Sequence, residues 1–219
     1  MLQMLVTLLA LVLASPPATC TYDTWTWSVV ARRVVEHQHV SKPYAQVTED
    51  EKASDWNVTG CTTCREDQER VAVSGLPPVL VCRHFAPRIR EALEAALQAG
   101  ARIETLVGYR VGRSGGPVVD GKRTRYGWHA FGEALDINSK SNGLYGNCKR
   151  NTAVPRSVAE LGPCRLRVGG AWRPQAAPAQ SLTADGAMVS AFRRVLGWRW
   201  GGERADSVKD LMHLSPDGY

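Results

Sequence analysis

Two short segments, far apart in the chain, combine residue types that bind metals and move protons. They are His129-Ala130-Phe131-Gly132-Glu133-Ala134-Leu135-Asp136 and Asp210-Leu211-Met212-His213. Imidazole nitrogens and carboxylate oxygens are both good ligands for zinc. A catalytic zinc commonly takes three protein ligands and keeps a fourth position for water. His129, Asp136 and His213 are the candidates for those three, around one catalytic ion. Asp210 is the candidate general base, taking a proton from water whose pKa the metal lowers from about 16 toward about 7. Arg110 is the candidate for holding a carbonyl oxygen as it becomes an oxyanion, or a substrate carboxylate. Each residue also admits a plainer account: an exposed His beside a strand-end Asp, a loop carboxylate capping a turn, an Arg on a solvated surface.

The elements around these residues decide whether they meet. If 134–138 is extended, Ala134, Asp136 and Asn138 face one way while Leu135 and Ile137 face the core. Gly132 permits a turn or close backbone approach that folds His129 back toward Asp136. A strand over Leu211–Leu214 would put Asp210 and His213 on opposite faces, because their offset is odd. A bend or bulge at Asp210 is therefore required if both face the metal. Arg110 follows a strand-like run, Ile103 to Tyr109, and precedes a Gly-, Arg- and Lys-rich stretch, 111–127, that reads as an exposed loop. One helix is predicted from about Pro87, with Ile89, Leu93, Ala96 and Leu97 as its stripe and Gly100 as its stop. A second runs from about Ala184 to Leu196 and ends at Gly197. Trp198 to Trp200 reads as a strand. Thr24 to Val35 suits another, within an otherwise irregular region over 20–60. Lys42 to Asn57 reads as loop, and His37 and His39 as surface residues without carboxylate partners. Asn57-Val58-Thr59 is a glycosylation sequon, relevant only to a eukaryotic secretory route. The stretch 139–182 lacks periodicity and reads as a long insertion. Short strands mixed with helices predict a single α+β domain with a small antiparallel sheet and flanking helices.

The chain has 219 residues, 44% hydrophobic and 22% charged, which suits one globular domain with a real core. A formal charge of +6 favours anionic partners. Lys and Arg are scattered rather than massed, which argues against a nucleic-acid partner. Leu2 to Leu13 is an apolar run too short to span a bilayer. Val12-Leu13-Ala14 followed by Ser15-Pro16-Pro17 reads as the end of a signal segment, residues 1–14 with 19 as its outer limit, although the positive start is missing. A membrane enters only through that segment, if it is not cleaved. An even number of cysteines behind it predicts three disulfides and a secreted, periplasmic or extracellular protein. Cys148 and Cys164 bracket the insertion and are the favoured pair. Cys20, Cys61, Cys64 and Cys82 supply the other two bridges in an order the sequence leaves open. A competing arrangement takes Cys61-x-x-Cys64 and Cys82-x-His84 as ligands of a structural zinc. The N-terminal Cys-containing region is read as 20–85 and the chemistry-bearing domain as 86–219.

Taken in order, Gly108-Tyr109-Arg110, His129-x-x-Gly132-x-Ala134-x-Asp136, Trp200-Gly201-Gly202 and Asp210-x-x-His213 resemble the D-alanyl-D-alanine carboxypeptidase and L-alanyl-D-glutamate endopeptidase family of zinc peptidases. That family shares its fold with the hedgehog signalling domain. The resemblance covers roughly residues 86–214. It implies zinc on His129, Asp136 and His213, Asp210 as base, Arg110 steadying substrate or transition state, Tyr109 beside it in substrate binding, and Trp200 lining the cleft. The implied reaction is hydrolysis of a peptide bond in the stem peptides of peptidoglycan. Gly127 stands where the family commonly has Ser, and Leu214 where it commonly has Phe. The alternative is a non-catalytic zinc-containing module of the same fold that binds cell wall or protein; such a module has no need of Asp210 or Arg110.

Overall fold

The computed structural model describes residues 17–150 and 154–219. The signal segment expected over residues 1–14 lies outside the described residues. In chain order the main elements are β1 (Thr19–Ser28), β2 (Arg33–Pro43), α1 (Trp56–Thr59), β3 (Gln68–Val71), β4 (Val79–Cys82), α2 (Ala86–Gln98), β5 (Leu106–Val107), β6 (Val111–Val119), β7 (Lys122–Tyr126), β8 (Leu135–Ile137), β9 (Leu144–Gly146), β10 (Arg165–Val168), α3 (Ala187–Leu196), β11 (Arg199–Trp200), β12 (Val208–Asp210) and β13 (His213–Ser215). The class is α+β, as expected.

Among the described residues the strands form four small sheets. The one that matters for the site runs β11-β13-β8-β5 and is antiparallel throughout. Leu135, Ile137 and Leu214 pin it to the main core, each fully buried. Helices α2 and α3 pack on each other and supply Ile89, Leu93, Val189 and Phe192 to that core. Both helices match the apolar stripes read from sequence. Pro87 sits in the first turn of α2, where no intrahelical N–H is lost, and Gly197 closes α3 in the left-handed conformation.

Several expectations are corrected. Thr24 to Val35 is not one strand but two, with a turn at 29–32 between β1 and β2. The stretch 111–127 is not an exposed loop. It is the β6–β7 hairpin, and β6 also pairs in parallel with β1, so these glycines and basic residues lie within a sheet. Lys42 to Asn57 contains two 3-10 turns and the start of α1. His39 does have a carboxylate partner, since its Nδ1 lies 2.8 Å from Asp23 Oδ1, although both are well exposed.

The insertion 139–182 is also more ordered than its sequence suggested. Its β9 pairs with both β10 and β12. Trp172 is fully buried, packs against Trp200 with ring centroids 6.1 Å apart, and donates through Nε1 to the Leu182 carbonyl at 2.9 Å. Asn142 clamps the two ends of the insertion. Its Nδ2 donates to the Gln180 carbonyl at 2.9 Å, and its Oδ1 accepts from Leu182 N at 2.8 Å.

All six cysteines form disulfides: Cys20–Cys64, Cys61–Cys82 and Cys148–Cys164. The Cys61, Cys64, Cys82 and His84 zinc arrangement is thereby overturned, because disulfide sulfur has no thiolate to offer a metal. Three disulfides suit an oxidising compartment. Among the described residues no helix is long and apolar enough to cross a membrane.

Candidate metal centre and cleft

Asp136 is the middle residue of β8, and His213 is its direct partner across the antiparallel pair with β13. Opposed residues project to the same face, so the pairing alone puts the carboxylate beside the imidazole. His129 arrives from a 3-10 turn, Trp128–Phe131, which ends at Gly132 in the left-handed conformation with φ 72°. A Cβ at Gly132 would collide with Gln68 Oε1 and Cys82 N, so only glycine permits this turn to pack against β3 and β4.

The three side chains converge. His129 Nε2 and His213 Nδ1 each lie 3.1 Å from Asp136 Oδ1, and one donor atom from each residue falls within 4.8 Å of the others. All three residues are buried to 8% exposure or less. His129 Nδ1 lies 2.7 Å from the Gly108 carbonyl, which makes that nitrogen the protonated one and leaves Nε2 with a lone pair facing Asp136. His129 Nε2 has no hydrogen-bond partner of its own among the described residues. Two imidazole nitrogens and a carboxylate oxygen meeting in one buried spot are a donor set that fits a divalent cation such as zinc.

The charges reinforce one another. Burial works against ionisation of Asp136, yet the imidazoles of His129 and His213 beside it outweigh burial and hold the carboxyl well below the usual range. Burial lowers the His129 pKa. It acts the same way on His213, but there the Asp136 hydrogen bond and charge prevail and raise it.

Asp210 ends β12, and the chain turns at Leu211–Met212 before His213 opens β13. The two strands lie in different sheets. This is the bend the odd spacing demanded. Asp210 Oδ1 is buried with no hydrogen-bond partner among the described residues, and burial pushes its pKa up to about 6. Asp210 and His213 both line a cleft of about 510 Å³ with Arg110, Trp128 and His129. Arg110 donates from Nη2 to Asp136 Oδ2 at 2.7 Å, and its backbone N donates to the His129 carbonyl at 3.0 Å. Its side chain stays 40% exposed, so the other guanidinium nitrogens face the cleft.

Residues 120–216 match the D-alanyl-D-alanine carboxypeptidase family model. The match supports the zinc DD-peptidase family that the motifs resemble. It spans His129, Asp136, Asp210 and His213 and begins beyond Tyr109 and Arg110. No curated protein and no solved structure matches the chain.

Two residues expected at the substrate do not face it. Tyr109 turns away from the cleft and donates its hydroxyl to the Thr63 carbonyl at 2.6 Å. Its side chain packs into the smaller core around Cys20 and Cys64, and burial raises its pKa. Trp200 is fully buried, and its Nε1 donates to the Leu211 carbonyl at 2.8 Å. It anchors the turn between Asp210 and His213 rather than lining the cleft. Gly201 beside it approaches the Asp210 backbone so closely that a Cβ would collide there. The residues that do line the cleft, and that sequence reasoning missed, are Trp128, Arg123, Arg204 and Tyr219. Arg204 is held by Asp206 Oδ2 at 2.6 Å and lies 4.2 Å over the Tyr219 ring. Trp128, adjacent to His129 in the motif, was the one signal in the sequence. The two arginines reach the cleft only through tertiary packing.

Proposed function

We infer that the protein is a zinc-dependent peptidase acting on the stem peptides of peptidoglycan. The observation that carries this reading is the meeting of His129 Nε2 and His213 Nδ1 at one oxygen of Asp136, beside the unpartnered buried oxygen of Asp210. His129, Asp136 and His213 would hold the ion. Zinc, when bound, supplies the Lewis acidity that makes water nucleophilic near neutral pH and polarises a peptide carbonyl.

The chain's own residues do the rest. Asp210 accepts the proton of the attacking water at its carboxylate and passes it to the departing amine. The desolvation that raises its pKa toward about 6 makes it a better base than an exposed aspartate. Arg110 offers its free guanidinium nitrogens to the carbonyl oxygen as charge develops there, while its bond to Asp136 fixes where they point. The Gly108 carbonyl fixes the His129 ring. Arg110, Arg123 and Arg204 give the cleft a positive wall, which suits short peptides bearing free carboxylates.

The test is metal analysis together with hydrolysis of purified stem peptides by wild type and Asp210→Ala. The expected result is one zinc per chain in both proteins and a rate at least 100-fold lower in the variant, the usual scale for losing a general base. An Asp210→Ala protein that holds zinc and cuts at the wild-type rate would refute the assignment. Wild type that binds zinc yet cleaves no stem peptide favours the binding module instead. Product analysis identifies the bond.

A further inference from the structure

Four exposed valines meet where two hairpins end side by side. Val29 and Val30 stand in the turn between β1 and β2, and Val118 and Val119 close β6 just before its turn into β7. The two ends are joined. Val29 N donates to the Gly121 carbonyl at 2.8 Å, and Ser28 pairs with Lys122. Gly121 lies so close to Val30 that a Cβ there would collide with Val30 Cγ2. Val30 is 82% exposed and Val119 55%.

Chain reversal does not call for these valines. A turn draws on Gly, Pro, Asn, Asp or Ser. Asp120-Gly121, with both residues in the left-handed conformation, meets that need between β6 and β7. Val29-Val30-Ala31-Arg32 contains none of those residue types. A lone surface valine is ordinary, whereas apolar side chains gathered in one exposed patch mark a contact.

The charges around this end select the contact. Arg32 and Arg33 follow Val30 in the chain, and Lys122 and Arg123 lie directly opposite Val119 and Val118 across the β6–β7 pair. The carboxylates here are Asp120 and Glu36, and Glu36 is taken up by Lys122. Arg123 Nη1 donates to the Gly116 carbonyl at 2.6 Å; it forms no ion pair among the described residues, nor do Arg32, Arg33 and Asp120. Four cations against two carboxylates leave the rim positive. A second copy of the chain would set like charge against like. An end built on four valines also falls short of the roughly 800 Å² per partner that a standard protein interface buries. A soluble polyanion matches the rim and gives the valines nothing. A bilayer with anionic headgroups matches both, because the valines enter its interface while the basic rim meets the phosphates.

We propose that the paired ends of the β1–β2 and β6–β7 hairpins dock on the surface of an anionic phospholipid bilayer. Gly115, Gly116 and Arg123 of the same β6–β7 hairpin line the metal cleft, so docking holds that cleft beside the lipid. The docking does not rest on the peptidase reading.

The experiment mixes the full chain with vesicles of phosphatidylcholine and phosphatidylglycerol in equal parts, or of phosphatidylcholine alone, and follows cosedimentation and amide hydrogen exchange. Wild type and Asp210→Ala should both bind the anionic vesicles, about 10-fold or more tighter than the neutral ones. Exchange should slow at residues 28–33 and 117–122, which separates this contact from anything residues 1–14 contribute. Val30→Ser with Val119→Ser removes apolar surface without adding charge, and Arg32→Gln with Arg33→Gln removes charge alone. Each pair should weaken binding about 10-fold or more, and each protein is accepted only with wild-type circular dichroism and three disulfides by mass. No binding by wild type, exchange slowed only outside the two hairpin ends, or a folded valine pair that binds as tightly as wild type would each overturn the proposal. So would a lipid-free dimer, seen by ultracentrifugation, that the valine pair abolishes, since the tip would then be a contact between copies. A protein that docks on vesicles yet cleaves no stem peptide keeps the docking site and rejects the peptidase reading, so the two fail separately.

Discussion

Glu133 stands inside the motif that carries His129 and Asp136, yet it faces the core. It is fully buried, and neither carboxylate oxygen has a hydrogen-bond partner among the described residues. Burial first, and then the Asp55 carboxylate, push its pKa from 4.5 to about 8. The folded state therefore holds the proton while the unfolded state releases it above about pH 4.5. Stability is greatest below that pH and falls as pH rises toward about 8, by at most about 1.4 kcal/mol per unit. Urea unfolding of the metal-free protein at pH 5 and pH 8 should show a loss of up to about 3 kcal/mol, and Glu133→Gln should remove most of that slope. Equal slopes in the two proteins would show that Glu133 is not the group responsible. Asp210 titrates the other way in function, because the base must be ionised to act. Its pKa of about 6 sets an upper bound for the acid limb of kcat/KM, since a bound cation can only favour the carboxylate. An acid limb centred above pH 7 would mean that some other group controls the rate.

At the scale of elements, the β12–turn–β13 segment determines whether base and ligand face the same ion. Three features hold it: the Trp200 Nε1 bond to the Leu211 carbonyl, the close approach of Gly201 to Asp210, and the pairing of β12 with β9. Trp200→Phe removes the first of these while largely filling the site. A neutral buried hydrogen bond contributes on the order of 1 kcal/mol, and the orphaned carbonyl costs a further 1–3. The expected outcome is a drop in stability of about 2 kcal/mol and a fall in kcat larger than any rise in KM, because the base shifts while the cleft wall stays. If KM alone changed, Trp200 would have to contact substrate, contrary to its full burial. Gly201→Ala should be worse, since its new Cβ meets the Asp210 backbone with no room to move.

Across the whole molecule, the N-terminal region is tied to the site by covalent and sheet connections at once. Cys61–Cys82 links the segment before β3 to the end of β4, Gly132 packs against that same strand end, and β1 pairs with β6 just past Arg110. Cys20–Cys64 spans 44 residues of sequence, and the chain-entropy account gives a loop of that length about 4 kcal/mol. Replacing both cysteines by serine should lower stability by about 2–4 kcal/mol and the melting temperature with it, measured by calorimetry with the other two bridges intact. A variant that melts with wild type would show that sheet pairing alone holds this region.

The sequence alone determined the donor types and their order. It also determined both long helices, because a 3.6-residue apolar stripe needs no distant partner to be recognised. The need for a bend at Asp210 was legible too, since strand alternation makes an odd offset incompatible with one face. The hairpin over 111–126 was not legible, because its glycines and basic residues become strand only when β1 supplies hydrogen bonds. The insertion read as irregular because β9 finds its partners in β10 and β12, the latter far along the chain. Tertiary structure alone decided that Tyr109 and Trp200 support the site from behind, that Arg123 and Arg204 line it, and how Cys20, Cys61, Cys64 and Cys82 pair. The physical reason is the same in each case. Side-chain chemistry and local period are written in consecutive residues, whereas the face a residue presents is set by what packs on its other side.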